Sequence, residues 1–175
     1  NPKYGVTMNN LPLTAAGVAL LTGVVPNLAR LALNPFWGWA FDRMNFFALR
    51  MVLNLGFAIG IFSFFSTNSV AGLIAAAVVF GISNAGGDVA WSLWVTKFAP
   101  PERVADYMSV HTFFTGLRGV VAPVVAFQLI AHWTLAQISW LSVGLILAAT
   151  LLLIPELKFG QKARPAKALV EEVSE

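Results

Sequence analysis

Five long apolar runs constrain what this chain can fold into. They cover roughly residues 11–41, 47–66, 69–98, 104–132 and 135–156. A helix rises 1.5 Å per residue, so about 20 apolar residues cross a hydrocarbon layer about 30 Å thick. Only 11% of the chain is charged, whereas a soluble domain has about 25%. The sequence therefore predicts an all-α integral membrane protein with five transmembrane helices.

The runs are predicted to be helices because they lack the period-2 alternation of a membrane barrel. A helix also satisfies its own backbone hydrogen bonds inside lipid. Few residues separate the runs, so successive helices are expected to be antiparallel. The predicted organisation is an extracytoplasmic segment over 1–10, a five-helix bundle over 11–156 and a cytoplasmic tail over 157–175.

The basic residues are concentrated on one side of this predicted topology. Lys3 lies alone on the other side, and the concentrated set is Arg43, Arg50, Lys97, Arg103, Lys158, Lys162, Arg164 and Lys167. Because cytoplasmic loops are enriched in Lys and Arg, these loops and the C-terminus are predicted to be cytoplasmic. The predicted location is the bacterial inner membrane. The first residue is Asn rather than Met, and an odd helix count with an external start predicts a further helix upstream.

Composition and residue types argue against several other classes of function. The net charge is +3, but the basic residues are dispersed, so no nucleic-acid partner is predicted. The absence of cysteine excludes disulfides and thiolate metal sites, and neither a metal nor a cofactor is predicted. No Ser–His or paired-carboxylate arrangement converges at one depth, so the chain is not predicted to be an enzyme.

Three charged side chains, Arg30, Asp88 and Arg118, lie deep inside the predicted helices. Counted from the predicted cytoplasmic helix ends, each lies about 15–21 Å into the membrane, near its middle. A charge there costs about 2.5–3.5 kcal/mol on insertion scales and usually faces a partner or a water-filled cavity. The three residues are therefore candidates for function.

Each of these charges shares one helix face with polar or aromatic neighbours at helical spacing. The three stripes are Asn27, Arg30 and Asn34 in the first helix, Asn84, Asp88 and Trp91 in the third, and His111, Thr115 and Arg118 in the fourth. The second and fifth helices have no charge near mid-span. We therefore expect the first, third and fourth helices to line a polar path. The second and fifth helices are expected to face lipid and to brace the other three.

The same residues also have purely structural interpretations. Arg30 and Arg118 could bind backbone carbonyls or pair with Asp88 as buried braces. His111 is either a proton relay or a hydrogen-bonded packing residue. Trp91 either contacts a ligand or only packs against its neighbours.

Two further patterns predict packing rather than chemistry. Gly56 and Gly60 form a G-x-x-x-G pair, which is typical of a close contact between helices. Trp37, Trp39 and Trp133 lie near predicted helix ends, where tryptophan is enriched in the interfacial belt of the membrane.

The predicted first cytoplasmic loop reads NPFWGWAFDRMNFFALR. It resembles the signature loop of the major facilitator superfamily, a glycine followed after three residues by Asp-Arg. Gly38, Asp42 and Arg43 match that pattern. Asn45 stands where the signature has a later glycine, and only Arg50 remains of its basic cluster.

The resemblance implies half of a major facilitator-type bundle. The degenerate signature favours the C-terminal half, helices 8–12 of twelve. In that family helices 8, 10 and 11 line the central cavity, and these correspond to the three helices with polar stripes. The implied function is secondary active transport of a small polar or anionic solute by alternating access. The implied partners are the lipid bilayer, the missing N-terminal half or other membrane subunits, and the solute.

The resemblance also implies a gating role for Gly38, Asp42 and Arg43. In the family this loop latches one conformation, and Glu102 and Arg103 are the candidate partners here. The alternative is that the loop's arginines only set the topology.

A second interpretation of the whole chain is a non-transporting membrane subunit of a larger complex, built on the same scaffold. It predicts that Arg30, Asp88 and Arg118 pair with one another and leave no water-filled cavity.

Overall fold

The computed structural model describes residues 5–8 and 11–160. Within this part, five helices are long and apolar enough to cross a membrane, which confirms the predicted all-α membrane fold. They are α1 (Ala15–Arg43), α2 (Phe46–Ser66), α3 (Val70–Phe98), α4 (Val104–His132) and α5 (Leu135–Leu152). A 3-10 turn, Pro101–Arg103, precedes α4, and a short helix α6 covers Leu157–Gly160.

The two ends of the bundle differ from the predicted helix boundaries. Strands β1 (Gly5–Met8) and β2 (Leu11–Thr14) pair antiparallel, so the first helix begins at Ala15 rather than at residue 11. At the other end α5 stops at Leu152, and residues 153–156 form a turn that contains Pro155. Proline cannot continue the backbone hydrogen bonding of a helix.

Polar side chains in the connections start four of the helices. An N-cap oxygen accepts a hydrogen bond from a free backbone N–H of the first turn. Thr14 accepts from Gly17, Asn45 from Phe47 and Ala48, Ser69 from Gly72, and Thr134 from Gln137. Thr134 and Gln137 complete a capping box. These caps explain why the helix starts agree with the predicted runs to within a few residues.

α1 is not a uniform α-helix. It contains a π-helical turn, Leu20–Val24, immediately before Pro26, and the N–H of Val25 donates to the carbonyl of Leu20. Proline removes a backbone donor, and a wider turn is a common local adjustment within a helix. Pro35, by contrast, lies inside an uninterrupted α-helical segment.

α3 is the central helix of the bundle. It packs against α1 and α2, and α5 packs on the far side of α2. Along α1 and α3 the residue numbers rise together, since Gly81 lies on Pro26 and Gly86 on Trp37. Along α2 and α3 they run in opposite directions, since Gly56 lies on Ser83 and Gly60 on Phe80. α1 and α3 are therefore parallel, and α2 is antiparallel to both.

Small residues of α3 let its neighbours approach closely. A Cβ at Gly81 would lie 2.7 Å from Cα of Pro26, and one at Gly86 would lie 2.8 Å from the indole of Trp37. A Cβ at Gly60 would lie 3.1 Å from the backbone nitrogen of Phe80. The close helix contact predicted from the G-x-x-x-G pair is thus confirmed.

One prediction about a helix face is wrong. Trp37 does not lie in an interfacial belt, because it is only 8% exposed and packs in the core beside Gly86. The second helix, predicted to be a lipid-facing brace, packs between α3 and α5 and also presents exposed apolar residues such as Val52 and Ile59. The least packed helix is α4, none of whose described side chains is buried.

Lys97 closes the α1–α3 interface at one end of the bundle. Its side chain is 6% exposed, and its ammonium donates to the carbonyl oxygens of Phe41 and, at 3.2 Å, of Met44. These carbonyls lie at the C-terminus of α1, where the last C=O groups lack intrahelical partners and the helix dipole favours a cation. We call this end, which also holds Arg43 and Arg103, the basic end.

Gly81→Ala is expected to destabilise the protein by about 1–3 kcal/mol, because the new methyl group overpacks the contact with Pro26. Thermal unfolding of the intact protein in detergent measures this. Gly144→Ala is the matched control, since a Cβ there meets nothing within 4 Å. Equal unfolding temperatures for the two variants would contradict the close α1–α3 contact.

Lys97→Met keeps the length of the side chain but removes both hydrogen bonds to the end of α1. We expect a loss of about 1–3 kcal/mol of stability, since carbonyls that had a charged donor are left without it. The same unfolding measurement tests this, with Lys158→Met as the exposed control. A Lys97→Met protein as stable as the control would show that the contact does not hold α1.

Candidate functional site

The deepest charges of α1 and α3 meet as an ion pair. Nε of Arg30 contacts Oδ2 of Asp88, and both side chains are a little under half exposed. Nη1 of Arg30 also donates to Oδ1 of Asn27 at 3.4 Å, and Nδ2 of Asn27 donates to the carbonyl of Gly23 at 2.8 Å. We call Asn27, Arg30 and Asp88 the ion-pair zone. Two of the three predicted stripes therefore converge.

The ion-pair zone lies well inside the bundle. Asp88 is about 15 Å and Arg30 about 20 Å from the basic end, at 1.5 Å per residue. A salt bridge at this depth lowers the cost of holding two charges in hydrocarbon. Because both side chains stay partly exposed, the pair lies on the open side of the bundle rather than in its core.

The stripe of α4 reaches α3 through aromatic contacts. The indole N–H of Trp94 donates to Nδ1 of His111 at 3.3 Å. The His111 ring also lies edge-on to both Trp91 and Trp94, with centroids 5.7 and 5.5 Å apart. In this arrangement Nδ1 of His111 is the acceptor, which ties the α4 ring to the indole of α3.

Two guanidinium groups lie over the ring of Trp91. Cζ of Arg50 is 4.2 Å and Cζ of Arg118 is 5.4 Å from its centroid. Arg50 comes from α2, Trp91 from α3 and Arg118 from α4. We call Arg50, Trp91 and Arg118 the arginine–tryptophan zone. In this zone two guanidinium cations each make a cation–π contact with the same indole ring.

Arg50 is a site residue that sequence reasoning missed. The sequence places Arg50 among the loop charges that set topology, because it lies one turn inside the start of α2. The antiparallel packing of α2 on α3 carries it to Trp91, so α2 contributes to the site and is not only a brace. The sequence signal for a role of Arg50 beyond topology is that it is the last basic residue left in the degenerate signature loop.

Three of the predicted path residues make no contact in the ion-pair zone or the arginine–tryptophan zone. Asn34 is exposed, and Asn84 and Thr115 are half-buried. In the part of the chain that the structure describes, none of the three makes a side-chain hydrogen bond. By helical spacing each shares a face with the charged residue of its own helix, but none of the three contributes to either zone.

The signature residues lie at the basic end. Asp42 and Arg43 are exposed, and Cζ of Arg43 stacks 4.7 Å from the Trp39 ring centroid. A Cβ on Gly38 would meet nothing within 4 Å, so contacts between the described residues do not require a glycine there.

The expected pairing of the signature loop with Glu102 and Arg103 is not what the structure shows. Nε of Arg103 lies 3.6 Å from Oδ2 of Asp106, within its own helix start. Lys97 is the residue that contacts the end of α1. Asn45, the departure from the signature, caps α2 and also donates to the carbonyl of Leu157 at 2.7 Å.

A separate cavity of about 330 Å³ lies near the opposite end of the bundle. Its walls include Leu21, Pro26, Phe64 and Phe80, which are apolar. The hydroxyls of Thr22 and Ser142 border it, but each donates to a carbonyl of its own helix. This cavity therefore has no polar chemistry in common with the two charged zones.

The family comparison agrees with this architecture. The family model described as Major Facilitator Superfamily matches residues 4–173, nearly the whole chain. No curated protein and no solved structure matches it. Members of the family are membrane transporters rather than enzymes. The five membrane-spanning helices and this match together show that the chain is an integral membrane protein and belongs to the major facilitator superfamily.

Proposed function

We propose that this chain is the C-terminal half, helices 8–12, of a twelve-helix secondary transporter. It moves a small polar or anionic solute by alternating access. The observation that carries the proposal is Arg118. It lies deep in an apolar helix and is exposed, and no carboxylate of the described residues lies within 4 Å of it. Because an unpaired charge facing lipid is costly, Arg118 is expected to face water or an anion.

The two zones have complementary roles in this proposal. Arg118 attracts the negative group of the solute through its planar set of N–H donors. Asp88 holds Arg30 in place. The solute competes with Asp88 for Arg30, so binding of the solute changes the partner of Arg30. Protonation of Asp88 would release Arg30 in the same way.

The packing supports movement of four of the five helices as one body. α1, α2, α3 and α5 share continuous contacts, and Lys97 ties α3 to the end of α1. Alternating access by rocking requires such a rigid unit on each side of the path. The open side that carries Arg30, Asp88 and Arg118 would face the second half across the path.

The orientation in the membrane is part of the proposal. The basic end, with Arg43, Lys97 and Arg103, would lie in the cytoplasm by the positive-inside rule. The C-terminus would lie on the same side, and the bacterial inner membrane is the proposed location.

The non-transporting subunit remains the second candidate, and one contact favours it. Arg30 and Asp88 pair with each other, as that interpretation predicts. It also predicts that Arg118 joins this pairing, whereas Arg118 lies over Trp91 instead. The transporter is therefore the better supported of the two.

Arg118→Ala is expected to lower uptake at least about tenfold, because charge-assisted hydrogen bonds contribute about 1.5–3 kcal/mol. The variant should fold, since Arg118 is exposed and its loss leaves no core cavity. The intact natural protein in proteoliposomes is first screened with labelled anionic and zwitterionic solutes, and the variant is tested on the one taken up. Arg103→Ala is the control. Normal uptake by Arg118→Ala would sink the assignment.

A further inference from the structure

We propose that Arg50 and Arg118 jointly bind an anion with two negative charges, a dicarboxylate or a phosphate, beside the ring of Trp91. The inference rests on the proposed transport function and narrows its solute from polar or anionic to doubly negative. It also makes Arg50 a binding residue rather than a topology signal.

The first step of the argument is the convergence of two like charges. Arg50 and Arg118 come from different helices, α2 and α4, yet both guanidiniums lie over one indole of α3. The charge of Arg118 acts on that of Arg50, and two cations repel each other. The negative face of the Trp91 ring offsets part of this repulsion.

The second step is that no carboxylate is there to offset the rest. Within the described part of the chain, the arginines with a carboxylate inside 4 Å are Arg30, with Asp88, and Arg103, with Asp106. Arg50 and Arg118 have neither an ion pair nor a side-chain hydrogen bond there. An anion between them would replace repulsion by two charge-assisted contacts.

The third step is the charge that the ligand must carry. Asp88 is already committed to Arg30, and Nδ1 of His111 accepts the indole N–H of Trp94, so neither side chain supplies a carboxylate or a free acceptor at Nδ1 to the two arginines. The arginine–tryptophan zone therefore holds two uncompensated positive charges. A dianion balances them, and each planar guanidinium can hold two oxygens of a carboxylate or phosphate side by side.

A stacked arginine does not by itself make a site. Arg43 stacks on Trp39 at a similar distance, 4.7 Å, but both residues are exposed and no second cation shares that ring. Arg43 is thus a matched control for Arg50: the same residue type, on a tryptophan, at the same end of the bundle.

The test is a binding titration on the intact natural protein purified in detergent, followed by calorimetry. The probes are succinate, its monoamide succinamate, its diamide succinamide, and inorganic phosphate. The three carbon compounds have nearly the same shape and carry two, one and no negative charges. We expect affinity to fall at least about tenfold from succinate to succinamate and again to succinamide. Tighter binding of succinate supports a dicarboxylate, and tighter binding of phosphate supports a phosphate.

The variants locate the two charges. Arg50→Ala and Arg118→Ala should each lower the affinity for the preferred dianion at least about tenfold. Arg50→Lys should weaken it less, because the charge remains while the planar donor set is lost. Arg43→Ala should leave it unchanged. Size-exclusion profiles and ligand-free unfolding temperatures identify any variant that fails to fold, and Arg50→Lys then carries the test.

Several results would overturn the proposal. Unchanged dianion affinity in a folded Arg50 variant, or succinamide bound as tightly as succinate, would do so. No binding of any of the four probes would do so as well. If the wild-type protein transports a neutral or cationic solute, the transport function stands and the dianion site fails. If it transports none of the screened solutes, the failure lies with the transport function itself.

Discussion

The arrangement of charges in this protein depends on how closely α1 approaches α3. Gly81 lies against the backbone of Pro26, and Gly86 lies against the ring of Trp37. Without hydrophobic driving force between helices in lipid, small residues at the contact are what permit tight van der Waals packing. That packing sets the parallel register of the two helices. The register in turn brings Arg30 opposite Asp88, and a wider separation would leave both charges unpaired in the membrane.

The ion pair then determines which charges remain available for a ligand. With Arg30 and Asp88 joined, the charges of Arg50 and Arg118 on Trp91 are left without a carboxylate partner among the described residues, Arg118 deep inside α4 and Arg50 one turn inside α2. Arg50 and Trp91 lie on α2 and α3, which are tightly packed together. Arg118 lies on α4, none of whose described side chains is buried. The geometry of the arginine–tryptophan zone therefore depends on what holds α4 in place within the membrane.

The sequence was sufficient for the helices and for the presence of charges deep inside them, and insufficient for the contacts that depend on register. Apolar length and capping residues such as Asn45 and Ser69 are local, so the helix bounds could be predicted. Arg30, Asp88 and Arg118 share a predicted depth, so an ion pair could be predicted, but depth alone leaves open which arginine pairs with Asp88. Arg50 could not be placed, since its position beside Trp91 follows from the α2–α3 packing. Trp37 likewise has the pattern of a belt residue until Gly86 is known to lie opposite.

The central claim is that polar faces of α3 and α4 line a water-filled path, and cysteine accessibility tests it most directly. The chain contains no cysteine, so single reporters can be introduced by Asn84→Cys and Thr115→Cys, with Ile59→Cys and Leu147→Cys on apolar, exposed faces as controls. A thiol reacts as its thiolate, which forms in water rather than in lipid. The account predicts that a charged, water-soluble thiol reagent modifies residues 84 and 115 in the membrane-embedded protein and spares 59 and 147. Protection of 84 and 115 to the same degree as the controls would contradict it.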